Sequence, residues 1–241
     1  MNSKQAATIL ICTVVTLCVS TAFAEPLVVD WSQLDKFESE NISNLLGKTV
    51  WLSSSGKEAV WGGSSTIKPG SGGELTLDCR SGFVGAVYLL TDDQKKIDYT
   101  TASWQWRVDK FASSDDSDEL ARDQPIQVAF LTTVVTNGTT PIQFPTLSYV
   151  WSTGDPAKVP KHYASPRLIK VIEADVHVVA ARAGPNANDD WQQETINLKK
   201  AIRRLPNAQN SKVFAIAVFA DTNHTESHSR AAIRNITLSA E

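Results

Sequence analysis

The chain is punctuated at short intervals. Runs rich in Val, Ile, Leu, Phe, Tyr, Trp and Thr recur along it: TVWL, ELTLDC, FVGAVYLL, ASWQWRV, IQVAFLTTVV, TLSYVW, ADVHVVAA, FAIAVFA and AIRNITL. Between them lie KPGSGG, TNGTTP, TGDPAKVP and AGPNANDD, which are turn-forming sequences. β-Branched and aromatic residues suit a pleated, half-buried surface, and Gly, Pro, Asn and Asp end such runs. Many short strands with this punctuation predict an all-β fold, an antiparallel β-sandwich or jelly roll, and argue against a parallel α/β architecture. One segment departs from the pattern. In DDWQQETINLKKAIRRLP, the residues Leu198, Ala201, Ile202 and Leu205 fall on one face of a helix, basic residues gather toward its end and Pro206 stops it. The spacing predicts one main helix over about 191–205, with Asp189 or Asp190 as its cap.

The first residues read as an address rather than as structure. MNSKQAATILICTVVTLCVSTAFA has Lys4, an apolar run from Ala6 to Val19 and the small-x-small ending Ala22-Phe23-Ala24. That is the pattern of a cleaved secretory signal over 1–24, followed by one β-sandwich domain over 25–241. The apolar run is shorter than the ~20 residues of a membrane span, so no stable membrane anchor is expected. A periplasmic or secreted location follows. Cys12 and Cys18 leave with the signal, so Cys79 has no intramolecular disulfide partner and reads as a small core residue. The formal charge of -3 becomes -4 once Lys4 is gone (-3 minus +1). Acidic and basic residues are interspersed, with no basic patch carrying interleaved aromatics, which excludes nucleic acid as the expected partner. Nothing in the sequence names a protein partner.

Several separated pieces form a recognisable order: WQWRV at 104–108, ARDQPIQVAFL at 121–131, LSYVWS at 147–152, the segment from Trp191 to Arg204, and AIAVFADTNHT at 215–225. Together they resemble an uncharacterised family of exported bacterial proteins known as domain of unknown function 3047, over roughly Val50 to the C-terminus. The resemblance implies an exported β-sandwich similar to carbohydrate-binding jelly rolls, and no established reaction. That family usually carries a D-T-D-x-T loop. Here the loop is Asp221-Thr222-Asn223-His224-Thr225, and Asn223 at the second acidic position weakens a metal-ligand role.

The candidate ligand-binding residues are Trp104, Trp106, Arg107, Trp151, Asp221 and Asn223. Trp104 and Trp106 share one face of a strand, Gln105 and Arg107 the other. An open tryptophan face is a platform for a sugar ring, and a closed one is core. Trp151, before the turn STGDP, and Trp61, in AVWGGSS, are rim candidates. Arg107, Arg122 and Asp123 can form ion pairs linking neighbouring strands, and Arg107 can instead grip an acidic sugar. Asp221, Thr222, Asn223 and Thr225 either close a turn or offer oxygens to a ligand. The acids at 115–119 lack the spacing of a calcium loop, and His162, His177, His224 and His228 lack a zinc spacing, so no metal site and no cofactor are expected. These features point to a noncatalytic binding module for a glycan or another polyhydroxylated ligand. A glycan-active lyase or hydrolase on the same fold, and an envelope scaffold, are the alternatives.

Overall fold

In the computed structural model, residues 25–32, 34–36, 49–53, 65–133, 144–169, 172–185 and 190–240 are described. The expected signal at 1–24, Trp61, and the TNGTTP turn lie outside them. In chain order the first elements are β1 (Leu27–Val28), β2 (Leu34–Lys36), β3 (Thr49–Ser53), β4 (Thr66–Pro69), β5 (Leu75–Arg80) and β6 (Phe83–Leu89). Next come α1 (Asp92–Lys96), β7 (Thr101–Lys110), α2 (Ser117–Arg122), β8 (Gln124–Thr132) and β9 (Phe144–Ser152). The remainder are β10 (His162–Ile169), β11 (Ile172–Ala183), β12 (Gln192–Asn197), α3 (Leu198–Ile202), β13 (Val213–Asp221) and β14 (His228–Ser239).

These strands make a β-sandwich of jelly-roll type. The smaller sheet runs β12-β7-β14-β5-β4, with β1 also paired to β14. The larger runs β10-β11-β9-β8-β13-β6-β3-β2. Pairing is antiparallel except for β9 with β11 and β2 with β3, which run parallel. Among the described residues no helix is long and apolar enough to cross a membrane.

Alternation along β7 sets the layers. Ala102, Trp104, Trp106 and Val108 are buried, whereas Ser103, Gln105, Arg107 and Asp109 point away from the core. The inward tryptophans meet the larger sheet. Trp104 lies edge-on to Trp106, with ring centroids 5.5 Å apart, and against Tyr149 at 5.5 Å and Phe130 at 5.9 Å. Trp106 packs on Trp151 at 5.8 Å. One polar tie closes the same region. Arg182 of β11 pairs with Glu194 of β12, and Glu194 also accepts from Trp106 Nε1 at 3.2 Å. A second apolar cluster sits on the outward face of the larger sheet, where Val87, Ala129, Leu131, Ala215, Ala217 and Phe219 are buried.

The expected helix over 191–205 is corrected to α3 alone. Gln192–Asn197 pairs residue by residue with β7, so its ladder bonds replace helical ones. Asn197, and neither of the aspartates, caps α3, accepting from Lys200 N at 2.8 Å. The apolar stripe is still used, for Leu198, Ile202 and Leu205 are all buried. Two further short helices escape a periodicity search. Thr91 and Gln94 form a capping box that starts α1, and Asp116 caps α2 inside the acidic stretch at 115–119. Cys79 is fully buried in the core, as expected.

Trp104→Ala should cost about 3–5 kcal/mol in denaturant unfolding, the range for emptying a buried aromatic site. Gly85 marks a different close contact. A Cβ there would stand 2.1 Å from a Phe219 ring carbon and 2.8 Å from the Val218 carbonyl. Gly85→Ala should therefore lower stability by about 1–3 kcal/mol, measured the same way, because the ring and the β13 backbone must both give.

Candidate functional site

The loop after β13 is polar because it must dock on a buried acid. Asp123, between α2 and β8, is fully buried. Its Oδ1 accepts from His224 N at 3.0 Å and lies 3.1 Å from His224 Nδ1. Its Oδ2 accepts from Thr225 N at 2.7 Å and Thr225 Oγ1 at 2.5 Å. A charge removed from water needs this degree of satisfaction. Thr222 closes the other side, donating its N–H to the Gly82 carbonyl at 2.8 Å and its hydroxyl to Cys79 Sγ at 3.4 Å. Burial pushes the Cys79 thiol up to about 11, so it is a packing group and not a nucleophile.

Asp221 is different. It ends β13 on the outward face of the larger sheet, two residues after Phe219 and paired with Phe83. One oxygen, Oδ1, accepts from Asn223 N at 3.0 Å in an Asx turn. Oδ2 has no hydrogen-bond partner among the described residues. Burial, reinforced by the Asp123 charge, pushes the Asp221 carboxyl up to about 7 against the pull of the Asn223 N–H. Two residues on, Asn223 Oδ1 is buried and unpartnered. Phe83 and Phe219 lie with ring centroids 5.1 Å apart beside Asp221. Tyr163 of β10 also faces outward. It keeps 37 % of its surface open, yet desolvation around the hydroxyl, with the Asp221 charge second, pushes it up to about 12. Farther in, Ser148 Oγ donates to Gln127 Oε1 at 3.1 Å, a buried polar pair on this face. The rim thus combines an acid that titrates near neutrality, unpartnered oxygens and an aromatic pair.

The structure separates the sequence candidates. Trp104, Trp106 and Trp151 are at most 1 % exposed, so none of them offers a platform. The core reading replaces it, since rings of this size gain more from the inter-sheet layer than any surface site would return. Trp151 Nε1 donates to the Gly184 carbonyl at 2.8 Å and does not wall the Asp221 site. Arg107 lies on the outward face of the other sheet. It sits 3.3 Å from Glu74 Oε1 and 3.0 Å from Asp109 Oδ1, and its guanidinium stacks on Trp191 at 4.7 Å. Of the six candidates, Asp221 and Asn223 come together. Phe83, Phe219 and Tyr163 were missed. Phe219 alone was accessible to sequence reasoning, because it stands two residues from Asp221 on a period-two strand.

Three solved structures similar in arrangement are remote in sequence. The family 11 carbohydrate-binding module from Clostridium thermocellum, in complex with a β-1,3-1,4-mixed-linked tetrasaccharide, is 13% identical with a TM-score of 0.36, over 88% of this chain and 94% of that one. Endoglucanase Cel12A from Rhodothermus marinus is 8% identical with a TM-score of 0.40, over 73% and 87%. The family 11 xylanase from Neocallimastix patriciarum is 10% identical with a TM-score of 0.36, over 73% and 86%. No curated protein matches the sequence. The profile of one family, described as "Protein of unknown function (DUF3047)", matches residues 71–237, from the turn before β5 to the end of β14, and the chain belongs to that family.

Proposed function

We propose that the chain is an exported, noncatalytic binding module whose rim site at Asp221 takes a polyhydroxylated ligand such as a glycan. The observation that carries this is the Oδ2 of Asp221, which has no hydrogen-bond partner among the described residues, beside the Phe83–Phe219 pair. A sugar ring presents C–H groups to an aromatic face and hydroxyls to nearby oxygens. A carboxyl titrating near 7 both donates to and accepts from hydroxyls around neutral pH. Fixing that acid at a strand end reduces the entropy lost on binding. Hydrolysis of a glycosidic bond calls for two carboxylates about 5–9.5 Å apart across the substrate. The carboxylate whose charge reaches Asp221 is Asp123, which is fully buried with both oxygens committed to the loop. It is not available to a substrate, and this favours binding over catalysis.

Export is tested by N-terminal sequencing of the protein recovered from cells. A chain starting at Glu25 in the soluble extracytoplasmic fraction is expected, and Met1 retained in membranes would refute export. Binding is tested by a glycan-array screen with and without calcium, followed by thermal shift with the hits. Asp221→Asn should abolish ligand-induced stabilisation. A screen without hits, or a hit whose effect survives the substitution, rejects the rim site; hydrolysis of a hit rejects the noncatalytic reading.

The ligand-free variants separate the two acids. The folded Asp221 carboxyl lies above its unfolded value, so wild type loses stability as pH rises from about 4 through about 7. Asp221→Asn should thus match wild type near pH 4 and exceed it by roughly 1–3 kcal/mol at pH 8. Asp123→Asn should instead destabilise by about 1.5–3 kcal/mol at pH 7, since an amide cannot accept from all the loop donors. Both differences are read from urea unfolding at the stated pH.

A further inference from the structure

We propose that His162, Asp175 and His177 form a binding site for a zinc-like transition-metal dication at the outer edge of the larger sheet. His162 opens β10 and stands directly opposite His177 on β11. Asp175 lies two residues before His177, on the same face of the strand. The two imidazoles converge on one carboxylate. His162 Nε2 is hydrogen-bonded to Asp175 Oδ1, and His177 Nε2 lies 3.5 Å from Oδ2. One ligand atom from each residue falls within 4.8 Å of the others. Ligand atoms of a tetrahedral zinc stand roughly 3.3 Å apart, from bonds of about 2.0–2.1 Å. Small rotations close that difference, and His162, with 56 % of its side chain open, has room to make them.

Hydrogen bonding alone leaves the cluster incomplete. His177 Nε2 is buried and has no hydrogen-bond partner among the described residues. The two rings lie close together, with centroids 4.8 Å apart and planes tilted by 42°. A metal ion accepts both nitrogens and one carboxylate oxygen at once. Two imidazoles and one carboxylate are a donor set for zinc, cobalt or nickel and a poor one for calcium or magnesium. Asp175 and His177 are held on a strand bonded on both sides, to β10 and β9. With three protein ligands, a four-coordinate ion keeps one position for water or another oxygen donor. The ion also staples the terminal strand to its neighbour.

The test uses full-length protein as purified, without a histidine tag, stripped by chelator and titrated with Zn2+ and Co2+ by calorimetry and visible absorption. One equivalent should bind, Co2+ should develop d–d bands, and millimolar Ca2+ or Mg2+ should not compete. His177→Ala and Asp175→Ala should each weaken binding by tenfold or more. His162→Ala, at the most exposed ligand, gives the same loss with least risk to folding, and circular dichroism verifies that each variant is folded. His228→Ala, on the other sheet, should leave affinity unchanged. No stoichiometric binding, or binding that falls with His228→Ala and not with the three ligand variants, overturns the site.

Discussion

The aromatic layer between the sheets is the contact on which the rest depends. Trp104 and Trp106 come from the smaller sheet, and Phe130, Tyr149 and Trp151 from the larger. Spaced two apart, the tryptophans from β7 reach β8 and β9 from one side and fix how the sheets face one another. The layer is dry enough to leave Trp104 Nε1 without a partner. An unpaired buried N–H costs about 1–3 kcal/mol, comparable to what the burial of one large apolar side chain returns. The ring is kept because its size fills the space between layers. The same demand removes the tryptophans from any surface role, and recognition falls to side chains that point outward.

Asp123 and Asp221 show how near neighbours acquire opposite duties. Both are removed from water, and the Asp123 charge disfavours that of Asp221. Asp123 is surrounded by N–H and O–H donors from the loop at 224–225, which engage both of its oxygens. Asp221 has a single backbone donor for its carboxyl. Burial, reinforced by the Asp123 charge, therefore pushes the Asp221 carboxyl up to about 7. The polar residues that follow β13 serve first to satisfy the buried acid. Their anchoring then sets where the less committed acid stands.

The strand pattern carried the architecture because burial on one or both faces writes itself into local sequence. The segments quoted from ELTLDC to AIRNITL correspond to β5, β6, β7, β8, β9, β11, β13 and β14. The Trp191–Asn197 stretch was misread for an equally physical reason. Its ends hold helix signals, but the neighbouring edge of β7 was unpaired and offered a full ladder, which tertiary context favoured over local propensity. At the site, Asp221 and Asn223 were legible because the apolar run stops there. The partners of Asp123 were not, since they lie about a hundred residues away in the chain. His162 and His177 are hidden in the same way, because cross-strand register and not sequence spacing sets them opposite each other.

The inequality of the two sheets explains where polar chemistry is tolerated. Among the described residues the larger sheet has eight strands and the smaller six, one of which, β1, shares an edge of β14 with β5 instead of widening the layer. The edge beyond β9 therefore overhangs. Val179, of the same parity as the core-facing residues of its neighbour, remains 41 % exposed. Inward positions at the start of β10 and in the first half of β11 thus lie beyond the aromatic layer, and imidazoles and a carboxylate occupy them while partly open to solvent. Tyr163 and Val176 alternate with these residues and face the other way, toward the surface that carries Asp221. A period of two along one hairpin therefore places the proposed metal ligands and part of the rim-site surface back to back, with only the thickness of a single sheet between them.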